Sequence, residues 1–360
     1  MAFIYSIKDT YRAAVEAASG GKNTVMYDDQ GNPSIMVVIP KFYLNDVITG
    51  APHTVHPAFV VNGIEKDAIY ISKYQNIVQN GRAYSLPAQD PATYINFDQA
   101  LLACYAKGQG WHLMSNAERS AIALWCKKNN FMPRGNNNYG CDISAPYEKG
   151  VVTYKYQSDN KLICGRVATG SGPAAWSHDG TPDGIYDLNG NVWEWGSGLR
   201  LKNGEIQIIQ DNNAAIQNAD HSDTSTLWKA IAAADGSLVA PGTSGTLKFD
   251  ATNADGSGTP KLNTTITGQS DGSKSSYCSF ETLTAASGIT IPMILKSLGL
   301  FPIDSSHGGD GLWVNNKSEI FPLYGGTWYN GVSAGVFALY LFNSRNSSGN
   351  DVGFRSAYVL

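Results

Sequence analysis

Residues 329–351 are built from Tyr, Phe, Asn, Ser, Gly, Val and a few other small or apolar types, with one Arg, one Asp and no Lys, Glu or Gln. Such a mixture suits recognition. Rigid aromatics give contact area at low entropic cost, and small amides and hydroxyls give adaptable hydrogen bonds. If 336–342 is a strand, its side chains alternate between faces. Phe337, Leu339 and Leu341 would then turn to a core, and Tyr340 and Phe342 to solvent beside Tyr329. An exposed aromatic patch of this kind marks an interaction site. Covalent and metal chemistry have less footing. Cys104, Cys126, Cys141, Cys164 and Cys278 show no C-x-x-C spacing and read as buried free thiols, with a Cys104–Cys126 or Cys141–Cys164 bridge left open. His53 and His56 form an H-x-x-H with no carboxylate close by, and no histidine follows His307.

These groups must be held by a sizeable fold. The chain has 360 residues, 42% hydrophobic, so a substantial core is expected, and its 38 glycines point to turns more than long helices. A formal net charge of -4 without Lys or Arg runs leaves no nucleic-acid footprint. No stretch approaches the ~20 apolar residues of a membrane-spanning helix, so no membrane insertion is expected. The amino terminus lacks the basic and apolar regions of a signal peptide, which implies folding in a cytoplasm and release by lysis or another route.

Ser6 and Asp9 suggest a capping box for a helix ending at Gly20-Gly21, followed by a hairpin of residues 24–26 and 35–39. Residues 1–56 are expected to be an N-terminal module or attachment arm. Beyond them, residues 59–61 and 68–74 read as strands around Asn62-Gly63. Asn96 opens a helix closed by Gly108, and Ser115 with Glu118 caps another. Residues 196–310, rich in Asp-Gly and Pro-Gly turns, read as long ordered loops with short strands at 206–209 and 246–249 and a short helix over 292–298.

The run GIYDLNGNVWEW at 184–195 places the turn formers Asp187, Asn189, Gly190 and Asn191 before Val192, Trp193 and Trp195, whose alternation with Glu194 suits a strand with a buried aromatic face. With GWHLMSNAE at 110–118, GGTW at 325–328 and VGFR at 352–355, the chain resembles the formylglycine-generating-enzyme/sulfatase-modifying family, a variant of the C-type lectin fold. The resemblance covers roughly 57–360. It implies an α+β C-type lectin fold with a long insertion at 196–310 and a C-terminal region at 325–360. The family's enzymes carry copper-binding cysteines after the GGTW-like turn, or a histidine triad for iron. Residues 329–351 hold neither, so the expectation is a protein that is not an enzyme.

The tail also resembles the variable region of proteins diversified by retroelements, such as phage tropism determinants. The matching framework is Trp328, Gly331, Ala334, Gly335, Val336, Phe337, Leu339, Leu341, Arg345 and Val352, Gly353, Phe354 and Arg355. Between these lie the candidate ligand-binding residues: Tyr329, Asn330, Val332, Ser333, Tyr340, Phe342, Asn343, Asn346, Ser347, Ser348, Gly349, Asn350 and Asp351. Each residue type can arise from an Asn codon ending in C by changes at its adenines alone. The family's calcium turn maps onto Asp187, Gly190, Val192 and Glu194, all oxygen donors, which makes a structural calcium a candidate; hydrogen bonding by both carboxylates is the alternative. No cofactor is otherwise implied. The reading is a receptor-recognition protein of a phage or prophage, placed at a virion tip and directed at a host surface protein or glycan. A homo-oligomer is among its expected forms. A formylglycine-generating-type oxidoreductase and a surface-displayed bacterial binder are the rivals.

Overall fold

The computed structural model describes residues 9–158 and 160–360. Ser6 lies outside them, and the first helix, Thr10–Ser19, is capped by Asp9, whose carboxylate accepts the Arg12 N–H at 2.9 Å. The helix stops at Gly20 in the left-handed conformation. The hairpin follows as Asn23–Tyr27 paired with Pro33–Pro40.

That hairpin is not a separate module. Pro33–Pro40 pairs with Ala68–Ser72, bringing Val37 opposite Ile71, and both are buried. The expected boundary near residue 56 therefore runs through a continuous five-stranded sheet. Ser356–Tyr358 completes it, lying between Ala68–Ser72 and Trp111–Leu113. The expected pairing around Asn62-Gly63 also changes. That turn joins the short strands Val60–Val61 and Ile64–Glu65, and Ala68–Ser72 belongs to the larger sheet instead.

Two helices back the sheets. Phe97–Tyr105 starts at an Asn96/Gln99 capping box and Asn116–Lys128 at a Ser115/Glu118 box, each satisfying orphan N–H groups of the first turn. Their inner positions, Phe97, Ala100, Ala121, Ile122 and Leu124 among them, are buried. The architecture is α+β, with more sheet than helix.

The segment 196–310 departs most from expectation. Instead of loops it supplies strands Leu199–Lys202, Glu205–Ile209, Trp228–Ile231, Lys248–Ala251, Pro260–Asn263 and Ser276–Ser279 to a thirteen-stranded sheet. Glu205–Ile209 and Lys248–Ala251 overlap the short strands expected at 206–209 and 246–249, and buried polar residues blurred the rest of the pattern. Glu205–Ile209 is buried throughout, yet Glu205 accepts from the Gly242 N–H and the Thr246 hydroxyl, and Gln207 accepts from Arg200. Satisfied polar groups can sit inside a sheet at little cost while breaking its apolar pattern. The expected short helix spans Met293–Ser297.

Candidate binding site

Gly335–Asn343 is the central tail strand. It pairs antiparallel with Glu319–Gly325 and parallel with Gly311–Val314. Phe337, Leu339 and Leu341 are buried in the core. The opposite face is also covered at Val336 and Ala338, and opens only at Tyr340 and Phe342, which are half-buried. Tyr340 is thus less outward than expected: its ring stacks on Trp193 at 5.3 Å and meets Trp313 at 5.7 Å.

Exposure separates the two classes of tail residue. Tyr329, Val332, Asn346 and Ser348 are exposed; Asn330, Ser333, Tyr340, Phe342, Asn343, Ser347, Gly349, Asn350 and Asp351 are half-buried. The framework residues are buried apart from Gly331 and Arg345, which are half-buried. Gly335 sits so close to Asp310 that an added Cβ would come within 2.1 Å of its carboxylate. Asp310 accepts the Phe337 N–H at 2.7 Å, and its deep burial pushes its carboxyl well above the usual range. Arg345 ties the loop down through Glu319 at 3.2 Å, Asp98 at 3.1 Å and the His221 carbonyl at 2.7 Å.

The structure brings part of the candidate set together. Tyr340 and Phe342 lie 5.7 Å apart, and the Tyr329 hydroxyl donates to Asp351. Burial and that carboxylate push the Tyr329 phenol up. Ser333 meets the Tyr277 hydroxyl at 2.9 Å, and Asn350 donates to the Tyr154 hydroxyl at 3.1 Å. Asn330 has a local duty, accepting from the Thr327 N–H and hydroxyl at 2.8 and 3.0 Å. Asn346 and Ser348 make no side-chain hydrogen bond or ring contact with the aromatic group among the described residues.

Tyr277 and Trp313 were missed by the sequence reading, because both lie in the supposed loops or just after them. Their only sequence signal is alternation: Tyr277 between Ser276 and Cys278, Trp313 between Leu312 and Val314. Trp328 anchors the other side, packed 6.0 Å from Tyr154 and 6.2 Å from Tyr156. Of the cysteines, Cys104, Cys126 and Cys278 are buried, Cys141 and Cys164 half-buried, and all five are free. His56 is buried against the Ser297 carbonyl at 2.9 Å, and His53 stacks on Tyr43.

In the 184–195 turn the geometry favours hydrogen bonding over calcium, because most of its oxygen atoms already accept hydrogen bonds. Glu194 Oε1 takes Arg355 at 2.9 Å and Gln75 at 3.0 Å; Oε2 takes Arg355 at 3.0 Å and Arg119 at 3.4 Å. The same Gln75 Nε2 lies 3.3 Å from the Asp187 carbonyl and 3.1 Å from that of Val192. One amide and two guanidinium groups thus supply the positive end that a cation would. Asp187 accepts the Gly170 N–H at 2.9 Å through Oδ2, and burial raises its carboxyl to about 6. Its Oδ1 is buried without a partner. A lone orphan oxygen and the Gly190 carbonyl do not make up the six or more ligands calcium takes. This donor set does not fit the ion.

No family model matches the chain, and no curated protein matches it. Among solved structures it is similar to PvdO from Pseudomonas aeruginosa, at 14% identity and a TM-score of 0.37 over 94% of this chain and 98% of that one. It is also similar to Treponema denticola variable protein 1, at 11% identity and a TM-score of 0.33 over 93% and 98%. The Major Tropism Determinant P3c variant aligns at 10% identity and a TM-score of 0.31 over 93% of this chain and 71% of that chain. Scores of this size mark distant likeness only.

Proposed function

We propose that the chain is a non-enzymatic recognition protein with a C-type-lectin-type fold of the formylglycine-generating kind. Its C-terminal face, centred on Tyr329, Tyr340 and Phe342, binds a receptor on a host surface. The observation that carries this reading is the exposure pattern: every candidate binding position is at least partly open, and almost every framework position between them is buried. A surface that accepts many sequences needs that division, because exposed changes cost the fold little. In this reading a retroelement varies those positions, and the protein is carried at the tip of a phage and engages a protein or glycan. Burial pushes the Cys104 and Cys126 thiols up and raises Cys278 to about 11, which leaves these three poor nucleophiles near neutral pH.

The test pairs genetics with binding. The neighbouring DNA should hold a near-copy of the codons for residues 329–351 that differs at adenines, beside a reverse-transcriptase gene. On host cells, Tyr329→Ala and Phe342→Ala should each weaken adsorption of the folded protein by about 2 kcal/mol or more, as hot-spot aromatics do. Unchanged adsorption in both variants, with no such repeat, would overturn the reading.

A further inference from the structure

We propose that the recognition face is composite: a cross-strand aromatic ladder of Tyr277, Trp313 and Tyr340 forms a fixed base for the variable tail and seats a folded protein with apolar knobs. This inference rests on the recognition reading above. Register places Tyr277 directly opposite Trp313, and Trp313 opposite Tyr340. The ring centroids lie 5.0 and 5.7 Å apart, and Phe342 continues the row 5.7 Å beyond Tyr340. On the other face of the same strands, Cys278, Leu312 and Leu339 are buried. The ladder therefore lies on the opposite face, with Tyr277 41% exposed at its open end and Trp313 and Tyr340 half-buried beside Trp193.

Two of its three rungs stand outside residues 329–351, on strands whose codons the tail's variation would not touch. Their placement is built. Trp313 folds over Gly311, where an added Cβ would come within 2.3 Å of its indole. The Tyr277 hydroxyl reaches the tail at Ser333, which joins base and variable loop.

Ring tilt selects the partner. Neighbouring rings are inclined by 41°, 63° and 37°, so the face is corrugated rather than a flat platform for sugar rings. None of the four rings lines either of two roomy clefts of about 870 and 600 Å³. Arg345, the one cation of residues 329–351, is occupied by Glu319 and Asp98. A corrugated aromatic face whose neighbouring Arg345 is already paired fits the apolar centre of a protein interface, where Tyr and Trp dominate the energetics.

The test uses a naive dodecapeptide library panned on the full-length chain, since random peptides settle on surfaces that can bind protein side chains. Enriched peptides should lose about tenfold or more in affinity to Tyr277→Ala and to Trp313→Ala, and retain it with Tyr277→Phe. Matching thermal midpoints show that each variant is folded. Loss confined to Tyr329→Ala and Phe342→Ala overturns the composite base and leaves the tail reading standing. No loss in any of the four, or no enriched peptide, overturns both. Binding of maltohexaose or cellohexaose that depends on Tyr277 and Trp313 overturns the protein partner in favour of a glycan.

Discussion

Leu339 and Tyr340 are neighbours in sequence and opposites in duty. Leu339 and Leu341 fill the core, so Leu339→Ala and Leu341→Ala are expected to cost about 2–5 kcal/mol each. Phe342 lies at the open end of the row, and Phe342→Ser should cost about 1 kcal/mol or less. Tyr340 falls between. Its stack on Trp193 adds about 0.5–1.5 kcal/mol beyond its buried area, so Tyr340→Ser should be costlier than Phe342→Ser. Urea melts of the four variants check the order, and equal losses at all four would mean that both faces of the strand are fully packed. The alternation of the tail was legible in the sequence because it repeats every second residue. Coverage of Val336 and Ala338 was not, because it depends on which strand lies across them.

At the scale of elements, the 184–195 turn is held by Gln75, Arg119 and Arg355 around Glu194. An ion bound only by the folded state would raise stability by mass action. The thermal midpoint should therefore be the same, within about 1 °C, in excess EDTA and in millimolar calcium. A clear rise with calcium would restore the ion. Gln75→Ala should instead destabilise by about 1–3 kcal/mol, because it strands several buried acceptors. The sequence showed the oxygen donors of this turn but not its donors of hydrogen, since Gln75 lies more than a hundred residues away. Local signals fared better. The capping boxes at Asn96 and Ser115 need only four consecutive residues, whereas the strands of 196–310 are defined by partners distant in sequence.

At the scale of the molecule, four of the five buried histidines set its tolerance of acid. Burial lowers His56 to about 3, and His178, His221 and His307 to about 4. They come from both ends and the middle of the chain. At His56, Nδ1 accepts the Ala58 N–H and the neutral ring donates from Nε2 to the Ser297 carbonyl, while burial penalises the charged form. A group whose folded value is depressed binds fewer protons in the native state. Its stabilisation is complete above the unfolded value near 6.5 and is lost as pH falls toward 4. Each imidazole should cost about 1.4 kcal/mol for every pH unit below 6.5 within that window. Urea midpoints measured from pH 7.5 down to 4.5 should fall steeply below 6.5, and a flat profile would contradict the burial of these rings.

The strand Ser356–Tyr358 has a further consequence. It sits between two partners in the five-stranded sheet, and Arg355 just before it closes the Glu194 cluster. Both lie downstream of residues 329–351. A chain broken off or shifted out of frame anywhere in 329–351 lacks an interior strand and leaves Glu194 without its principal counterion. Such a product cannot complete the fold. If residues 329–351 vary as proposed, the architecture would act as a proofreader of that stretch, since only variants read through in frame would keep this strand and its arginine.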